Sequence, residues 1–428
     1  MSFMKQKRIY LDYASTTPLD PRVLEAMLPW FGASFPNQLT KQPTNQATSF
    51  GNPGSLHSFG QAASAAVFKP RQTIAGAIGA HYSEIIFTGS ATEANNLALR
   101  GSVKQMMNDQ LRMKNGKFIP RLIISAIEHE SVLETARDLE KDGVDVVLIP
   151  VSREGIVDLK KLKAALNERT VLVSVMYANN EVGTVQPIAE IAKIVNDFRA
   201  SQPTNQLTKQ PSNYPLLHVD AVQAFQYLDC NVDALGVDLM TLSAHKIYGP
   251  KGIGCLYARR VPASKLLTTH YSLLTILTGG GQEFGLRSGT ENVSAIVGFA
   301  KAVEIASALR SKEFQRIAKL RDKLFKGNKI IFPGVVLNGG AQGRLPNNLN
   351  IFIPRRSGEQ LLVALDLAGI AVSSGSACSA RSIDPSHVLL AMGFDRTRAK
   401  NSIRFSLGRL TTDAEIDRVL TVLSSIKQ

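Results

Sequence analysis

Residues 238–257 read DLMTLSAHKIYGPKGIGCLY. Two apolar runs of strand length, Asp238–Ser243 and Gly252–Ala258, flank a turn rich in Gly and Pro. Lys246 therefore stands just past a strand end, where an amine is placed for Schiff-base chemistry rather than surface solvation. An ordinary exposed lysine is the competing reading of any lysine seen alone, so its companions along the chain must decide.

Outward from this stretch, further strand-length runs alternate with helical patterns. Glu84–Gly89 precedes a helical run from Thr92, and Arg121–Ala126 precedes Ser131–Lys141. Val144–Val151 is followed by Asp158, a good N-cap, with Leu159, Leu162 and Leu166 at helical spacing. Val171–Tyr177 and Leu216–Ala221 complete the series. Near-continuous Val/Ile/Leu runs between helices predict an α/β fold whose largely parallel sheet is covered on both faces. After about residue 300 the pattern changes to long charged helices and a final capped helix, Thr412 to Ile426, with Glu415 three residues after Thr412. A smaller second domain, joined by the N-terminal segment, is expected there.

At 428 residues and 44% hydrophobic content, the chain can bury a large core, enough for two or three domains. The first thirty residues lack the apolar segment of a secretory signal. No window approaches about 18 consecutive apolar residues. A cytoplasmic protein without membrane contact is expected. Cys230, Cys255 and Cys378 are far apart and show no metal-binding spacing, so neither a disulfide framework nor a metal site is indicated. The net charge of +14 is spread along the chain, without zinc-finger or RNP-like motifs. It reads as a solvated basic surface, not as direct nucleic-acid recognition. The sequence NQLTKQPTN at 37–45 recurs as NQLTKQPSN at 205–213. Both copies are polar and aperiodic, which predicts loop insertions over 36–47 and 203–214.

Other strand ends carry further chemistry. His218-Val-Asp220-Ala-Val-Gln223 ends a buried run, and a carboxylate at the C-terminal edge of a parallel sheet sits where such folds bind ligands. Asp220 is also a good helix N-cap, and alone the cap is the simpler reading. Thr88-Gly-Ser-Ala91-Thr92 joins a strand to a helix with residues small enough for a phosphate to approach backbone N–H groups, although the Walker spacing is absent. His129 lies just past another strand, where an imidazole can stack on a planar group and move protons, or be an unremarkable loop histidine. Asn179-Asn180-Glu181 is a polar cluster at the same edge. Cys378, in Ser373-Ser-Gly-Ser-Ala-Cys-Ser-Ala, is surrounded by small residues, unlike a packed core cysteine. A mobile thiolate nucleophile and an accidental cysteine in a Gly/Ser connector are the two readings. Cys230 and Cys255 read as structural.

In order, these pieces resemble the cysteine desulfurases, in the class V aminotransferase group of pyridoxal-phosphate (PLP) enzymes. The matching stretches are YLDYASTTPLDPRV (10–23), FGNPGSLHSFG (50–60), IIFTGSATEANNLAL (85–99), EHESV (128–132), NNEVGTVQPI (179–188) and HVDAVQAF (218–225), followed by SAHKIYGPKGIGCLY (243–257), GGGQEFGLRSGTENV (279–293), SSGSACS (373–379) and IRFSLGR (403–409). The resemblance implies the fold type I architecture of PLP-dependent aminotransferases. A large domain over 20–300 would hold a mostly parallel seven-stranded sheet flanked by helices. A smaller α+β domain over 1–19 and 301–428 would carry the Cys378 loop. It further implies that Lys246 carries the cofactor and that Asp220 pairs with its ring nitrogen. His129 would stack on the ring and Gln223 would bond the ring hydroxyl. Ala91, Thr92, Ser243 and His245 would hold the phosphate, with Thr290 reaching in from a second subunit of a homodimer. Asn180 would sit beside cofactor and substrate, and Arg404 would clamp the substrate carboxylate. The implied reaction converts L-cysteine to L-alanine, leaves sulfur as a persulfide on Cys378, and delivers it to an acceptor protein, an iron–sulfur scaffold or a tRNA-thiolation protein.

Some features depart from the family pattern. The two NQLTKQP inserts are foreign to it, Leu266–Thr278 is long, and no extended tail for docking a scaffold follows the last helix. An aminotransferase or selenocysteine lyase on the same fold would leave Cys378 incidental. A catalytically silent scaffold would not need the full set of Lys246, Asp220, His129, Arg404 and Cys378.

Overall fold

The computed structural model describes residues 8–32, 49–112, 118–202, 214–260, 271–374 and 385–426. Cys378, both NQLTKQP segments and residues 261–270 lie outside the described residues.

Among the described residues, twelve short strands form three sheets. They are β1 (Ile9–Tyr10), β2 (Ile85–Thr88), β3 (Arg121–Ser125), β4 (Asp145–Ile149), β5 (Thr170–Ser174), β6 (Leu216–Asp220), β7 (Leu239–Ser243), β8 (Gly254–Ala258), β9 (Val336–Leu337), β10 (Asn348–Phe352), β11 (Ile370–Ala371) and β12 (Ser402–Ser406). The central sheet has seven strands in the order β2-β8-β7-β6-β5-β3-β4. Pairing is parallel from β4 through β7, and β8 runs antiparallel to both β7 and β2. Strands β5 to β8 are buried residue by residue, as expected of a sheet with helices on both faces. Alternate side chains feed two separate apolar clusters. Ile123, Val173, Leu217, Val219, Met240 and Leu242 join one, and Leu122, Ile124, Leu172, Leu216 and Leu239 join the other. The predicted mostly parallel sheet is present, with strand limits shifted by at most three residues.

The remaining sheets lie among the N-terminal strand and the last hundred residues. Strand β1 pairs in parallel with β11, and β10 lies between β12 and β9 in antiparallel register. Their apolar side chains, Ile9, Leu349, Ile351, Ile403 and Phe405, pack with Ile416, Val419 and Leu423 of the final helix, Asp413–Ile426. That helix begins with the expected capping box: Glu415 N–H donates to Thr412 Oγ1 at 3.2 Å, and Thr412 N–H to Glu415 Oε2 at 3.0 Å. One helix of 39 residues, Val293–Ile331, contributes Phe299 and Val303 to the first central cluster and Ile317 and Leu324 to this one. At 1.5 Å per residue it is about 58 Å long, enough to cross both.

The parallel strands end together. After β2 comes the Ser90-Ala91-Thr92 turn, after β3 His129, after β5 Asn180, after β6 Gln223 and after β7 Lys246. The fold thus gathers at one sheet edge residues that are more than 150 positions apart in sequence.

Candidate active site

A cavity of about 340 Å³ opens at this edge. Lys246, Asp220, His129, Gln223, Ala91, Thr92, Asn180, His245 and Arg404 all line it. Ser243 is buried at the end of β7 and is not among the lining residues. Thr290 lines a different hollow, with Trp30, Phe50 and Asn292. Cys378 lies outside the described residues, whereas Cys230 and Cys255 are buried. Burial pushes the Cys230 thiol up to about 12 and Cys255 higher still, which keeps both protonated and inert.

Asp220 ends β6 and is only 6% exposed. The segment after it is a run of turns rather than the helix that an N-cap would open. Asp220 Oδ1 accepts from the Val222 backbone N–H at 3.0 Å, as a turn cap does. Its Oδ2 accepts from Asn95 Nδ2 at 2.9 Å. Asn95 belongs to the helix Ala91–Arg112 and also donates to Ser131 Oγ at 2.8 Å. Ser131 in turn meets His129 Nδ1 through its hydroxyl, at 2.9 Å, and its backbone N–H, at 3.1 Å. A backbone N–H can only donate, so Nδ1 carries the lone pair and the neutral ring has its proton on Nε2. Helix N-capping by His129 and orientation of its ring are therefore the same interaction.

The opposite wall is the N-terminal segment. Lys246 Nζ donates to the carbonyls of Ala14 at 2.7 Å and Ser15 at 2.6 Å, and Gln223 Nε2 donates to Ala14 O at 2.9 Å. His245 Nδ1 lies 3.1 Å from Thr16 Oγ1. Burial, then repulsion from Lys246 and Lys251, pushes His245 down to about 4, so its ring is neutral at pH 7. Arg404, in mid-strand on β12, is 1% exposed; Nη2 meets Asp12 Oδ1 at 2.8 Å and Ser15 Oγ at 2.9 Å, and Nη1 meets Asn180 O at 3.0 Å.

Asn95, Ser131, Glu128 and His387 are assigned no role by the sequence reading, and Glu181 enters it only within the polar cluster at 179–181. Glu128 is completely buried. Its Oε1 accepts from Ser125 Oγ and from Met176 N–H, and burial, reinforced by Asp220, pushes the carboxyl up to about 8. Glu181 Oε2 accepts from Ser386 Oγ at 2.5 Å. His387 Nε2 donates to the Glu128 carbonyl at 3.0 Å.

The donor set matches one kind of small molecule. An amine, a buried carboxylate, an imidazole and the first residues of the Ala91 helix line one cavity. A flat pyridine ring with a carbonyl group and a phosphate fits this arrangement. Among the described residues no cluster of His, Cys, Asp and Glu could hold a metal ion, and no helix is long and apolar enough to cross a membrane.

Comparison with known proteins agrees with this chemistry. The family model for Aminotransferase class-V matches residues 9–419. The chain is 41% identical over 421 residues to "Cysteine desulfurase IscS" of Dictyoglomus turgidum, covering 98% of this chain and 95% of the relative. It is 42% identical over 414 residues to "Cysteine desulfurase, mitosomal" of Encephalitozoon cuniculi, covering 96% and 85%. Among solved structures, a "NifS-like protein" superposes with a TM-score of 0.81 at 35% identity, covering 98% of this chain and 99% of that one. "SspA in complex with cysteine" superposes with a TM-score of 0.71 at 34% identity, covering 94% and 99%.

Proposed function

Because the chain belongs to the class V aminotransferase family and its relatives are cysteine desulfurases, we propose the following assignment of its residues to that activity. The protein is a PLP-dependent cysteine desulfurase: it converts L-cysteine to L-alanine and retains the sulfur as a persulfide on Cys378. The observation that carries the assignment is the convergence of Lys246, Asp220, His129 and Arg404 on one cavity.

When bound, PLP supplies an electron sink for the negative charge that develops at the substrate Cα. Lys246 would hold the cofactor covalently, and its Nζ, when free, would move the Cα proton of the substrate. Hydrogen bonds from Nζ to the carbonyls of Ala14 and Ser15 hold it at the cavity wall. Asp220, fixed by Asn95, keeps a proton on the ring nitrogen. His129, with its proton on Nε2, would stack on the ring, and Gln223 would bond the ring hydroxyl. The phosphate is held by Ala91, Thr92, Ser243 and His245; a neutral His245 contributes a hydrogen bond without adding charge. Asn180 and Arg404 orient the substrate. The Cys378 thiolate attacks the substrate sulfur, the Cβ–S bond breaks, and its electrons pass into the substrate carbon skeleton, which is reprotonated to L-alanine.

The active form is a homodimer. Phe50, Leu56 and Phe59 are 71%, 91% and 51% exposed near the hollow lined by Thr290, a set of large apolar groups that a second copy would cover. Thr290 then completes the phosphate site of the other subunit. Residues 20–300 form the large domain, and 1–19 with 301–428 form the smaller one, the helix Val293–Ile331 running across their boundary. The persulfide passes to an acceptor protein, an iron–sulfur scaffold or a tRNA-thiolation protein, in a reducing compartment such as the cytoplasm.

Mass spectrometry after exposure to L-cysteine tests the assignment. One added sulfur atom is expected on the peptide containing Cys378. An unmodified peptide alongside continued alanine formation would overturn the persulfide role.

A further inference from the structure

Lys246 sits in a tight turn that closes on one carbonyl: Ile247 N–H and Gly249 N–H both donate to Ala244 O, at 3.0 and 2.9 Å. Within this turn Tyr248 has φ +67°, in the left-handed region that a residue with a side chain resists. Tyr248 is buried, so its backbone N–H calls for a partner.

That partner is the side chain of Thr17, 231 positions away and itself buried. Thr17 Oγ1 accepts from Tyr248 N–H at 2.7 Å and donates to His245 O at 2.9 Å, and Thr17 N–H reaches the same carbonyl at 3.0 Å. One hydroxyl therefore bridges the residue before Lys246 and the second residue after it. Just ahead of Thr17 in the same segment are Ala14 and Ser15, whose carbonyls receive Lys246 Nζ. The segment thus grips Lys246 twice, through the backbone on either side of it and through the amine at its tip. Asp20 N–H extends the contact by donating to Tyr248 O at 3.0 Å.

Resting on the reading of Lys246 as the residue that bonds the cofactor, we propose that Thr17 is its positioning residue: the hydroxyl staples the Lys246 turn to the N-terminal segment and so sets where Nζ stands. Thr17 is not among the residues lining the cavity. It acts through Lys246, and its removal weakens the covalent hold while sparing the contacts to ring and phosphate.

Exchange between two cofactors separates this from a structural role. PLP carries an aldehyde carbon, which bonds Nζ with loss of water; pyridoxamine 5'-phosphate carries an aminomethyl group there and forms no such bond. Ring and phosphate are the same in both. The PLP-loaded enzyme is dialysed at fixed PLP against rising pyridoxamine 5'-phosphate, and chromatography of the cofactors released on denaturation gives the preference for PLP. In Thr17→Val, which keeps the side-chain shape without the hydroxyl, the preference falls about tenfold, the scale of one buried hydrogen bond lost. Thr17→Ser keeps the hydroxyl and stays within about a factor of two of the parent, as a retained bond requires. Thr17→Ala leaves room for water beside Tyr248 N–H and shows a smaller fall, so the test survives if the valine variant folds poorly. General loosening weakens both cofactors alike and leaves the preference unmoved. That result in the valine and alanine variants, or a fall in Thr17→Ser as large as in Thr17→Val, overturns the proposal. Lys246→Ala should abolish the preference. If the preference survives there, the reading of Lys246 itself fails; if it is lost there but unmoved in Thr17→Val and Thr17→Ala, only the role of Thr17 fails.

Discussion

Glu128 and His387 meet at the cavity wall: His387 Nε2 donates to the Glu128 carbonyl at 3.0 Å across 259 positions of sequence. Glu128 immediately precedes His129, and His387 begins the short helix His387–Ala391. The contact ties the chain just after the Cys378 segment to the residue beside the proposed ring-stacking histidine.

Lys246→Ala is expected to lose the covalent cofactor link and the yellow colour, with turnover falling by at least about a thousandfold, because among the described residues no other amine lines the cavity. Absorbance spectra and alanine release check this. Cys378→Ala should instead keep the colour and its change on adding L-cysteine, yet yield no transferable sulfur. Normal sulfide release with reductant in that variant would show the thiol to be incidental.

Replacing Asp220 by Asn removes the charge that retains the ring proton, and turnover should fall about a hundredfold or more. Asn95→Ala leaves the carboxylate but removes its 2.9 Å donor. That milder loss, about tenfold from one charge-assisted hydrogen bond, should appear in kcat more than in KM. Steady-state kinetics distinguish the two variants.

The Glu128 carboxyl, raised from 4.5 to about 8 by burial, binds its proton more tightly in the folded than in the unfolded chain. Its contribution to stability is therefore fully present below pH 4.5 and is lost as pH rises through about 8. Glu128→Gln keeps a carbonyl oxygen for Ser125 Oγ and Met176 N–H but cannot ionise. Its Tm should decline less than that of the parent between pH 6 and pH 9, measured by calorimetry. His218, lowered to about 4 by burial, has the opposite slope: its contribution is complete above 6.5 and is lost as pH falls toward about 4.

Arg71 and Glu283 form a buried two-bond pair at 2.6 and 2.7 Å, and Glu283 also accepts from Phe87 N–H. The pair holds a turn in which Glu283 and Phe284 both have positive φ, +50° and +58°, a conformation side chains resist. Arg71→Met should destabilise the protein by about 3–5 kcal/mol, because the carboxylate is left buried without a partner. Adding Glu283→Leu should recover much of that loss, as urea unfolding would reveal.

The strands were legible because buried parallel strands need apolar residues on both faces, and Val171–Val175 or Leu239–Leu242 have no other use for them. Lys246 and Asp220 were legible because polar side chains directly after such runs stand at the ligand-binding edge. Asn95 was not. One turn inside a helix, it looks like any solvent-facing polar residue until the helix packs against that edge and turns it toward Asp220. Glu128 was hidden for a related reason: local sequence does not reveal that a carboxyl beside His129 is completely buried. The N-terminal partners of Lys246 and Arg404 were out of reach as well, since contacts across 231 and 392 positions follow no local periodicity.

The ion pair between Asp12 and Arg404 also bears on how the molecule is made. During synthesis Asp12 leaves the ribosome 392 positions ahead of Arg404, and β12 is the last of the described strands to emerge. The nascent polypeptide can assemble the central sheet, with Lys246 in place, while the substrate pocket still lacks a wall. A product ending before Arg404 would therefore contain Lys246 and yet lack one wall of the cavity.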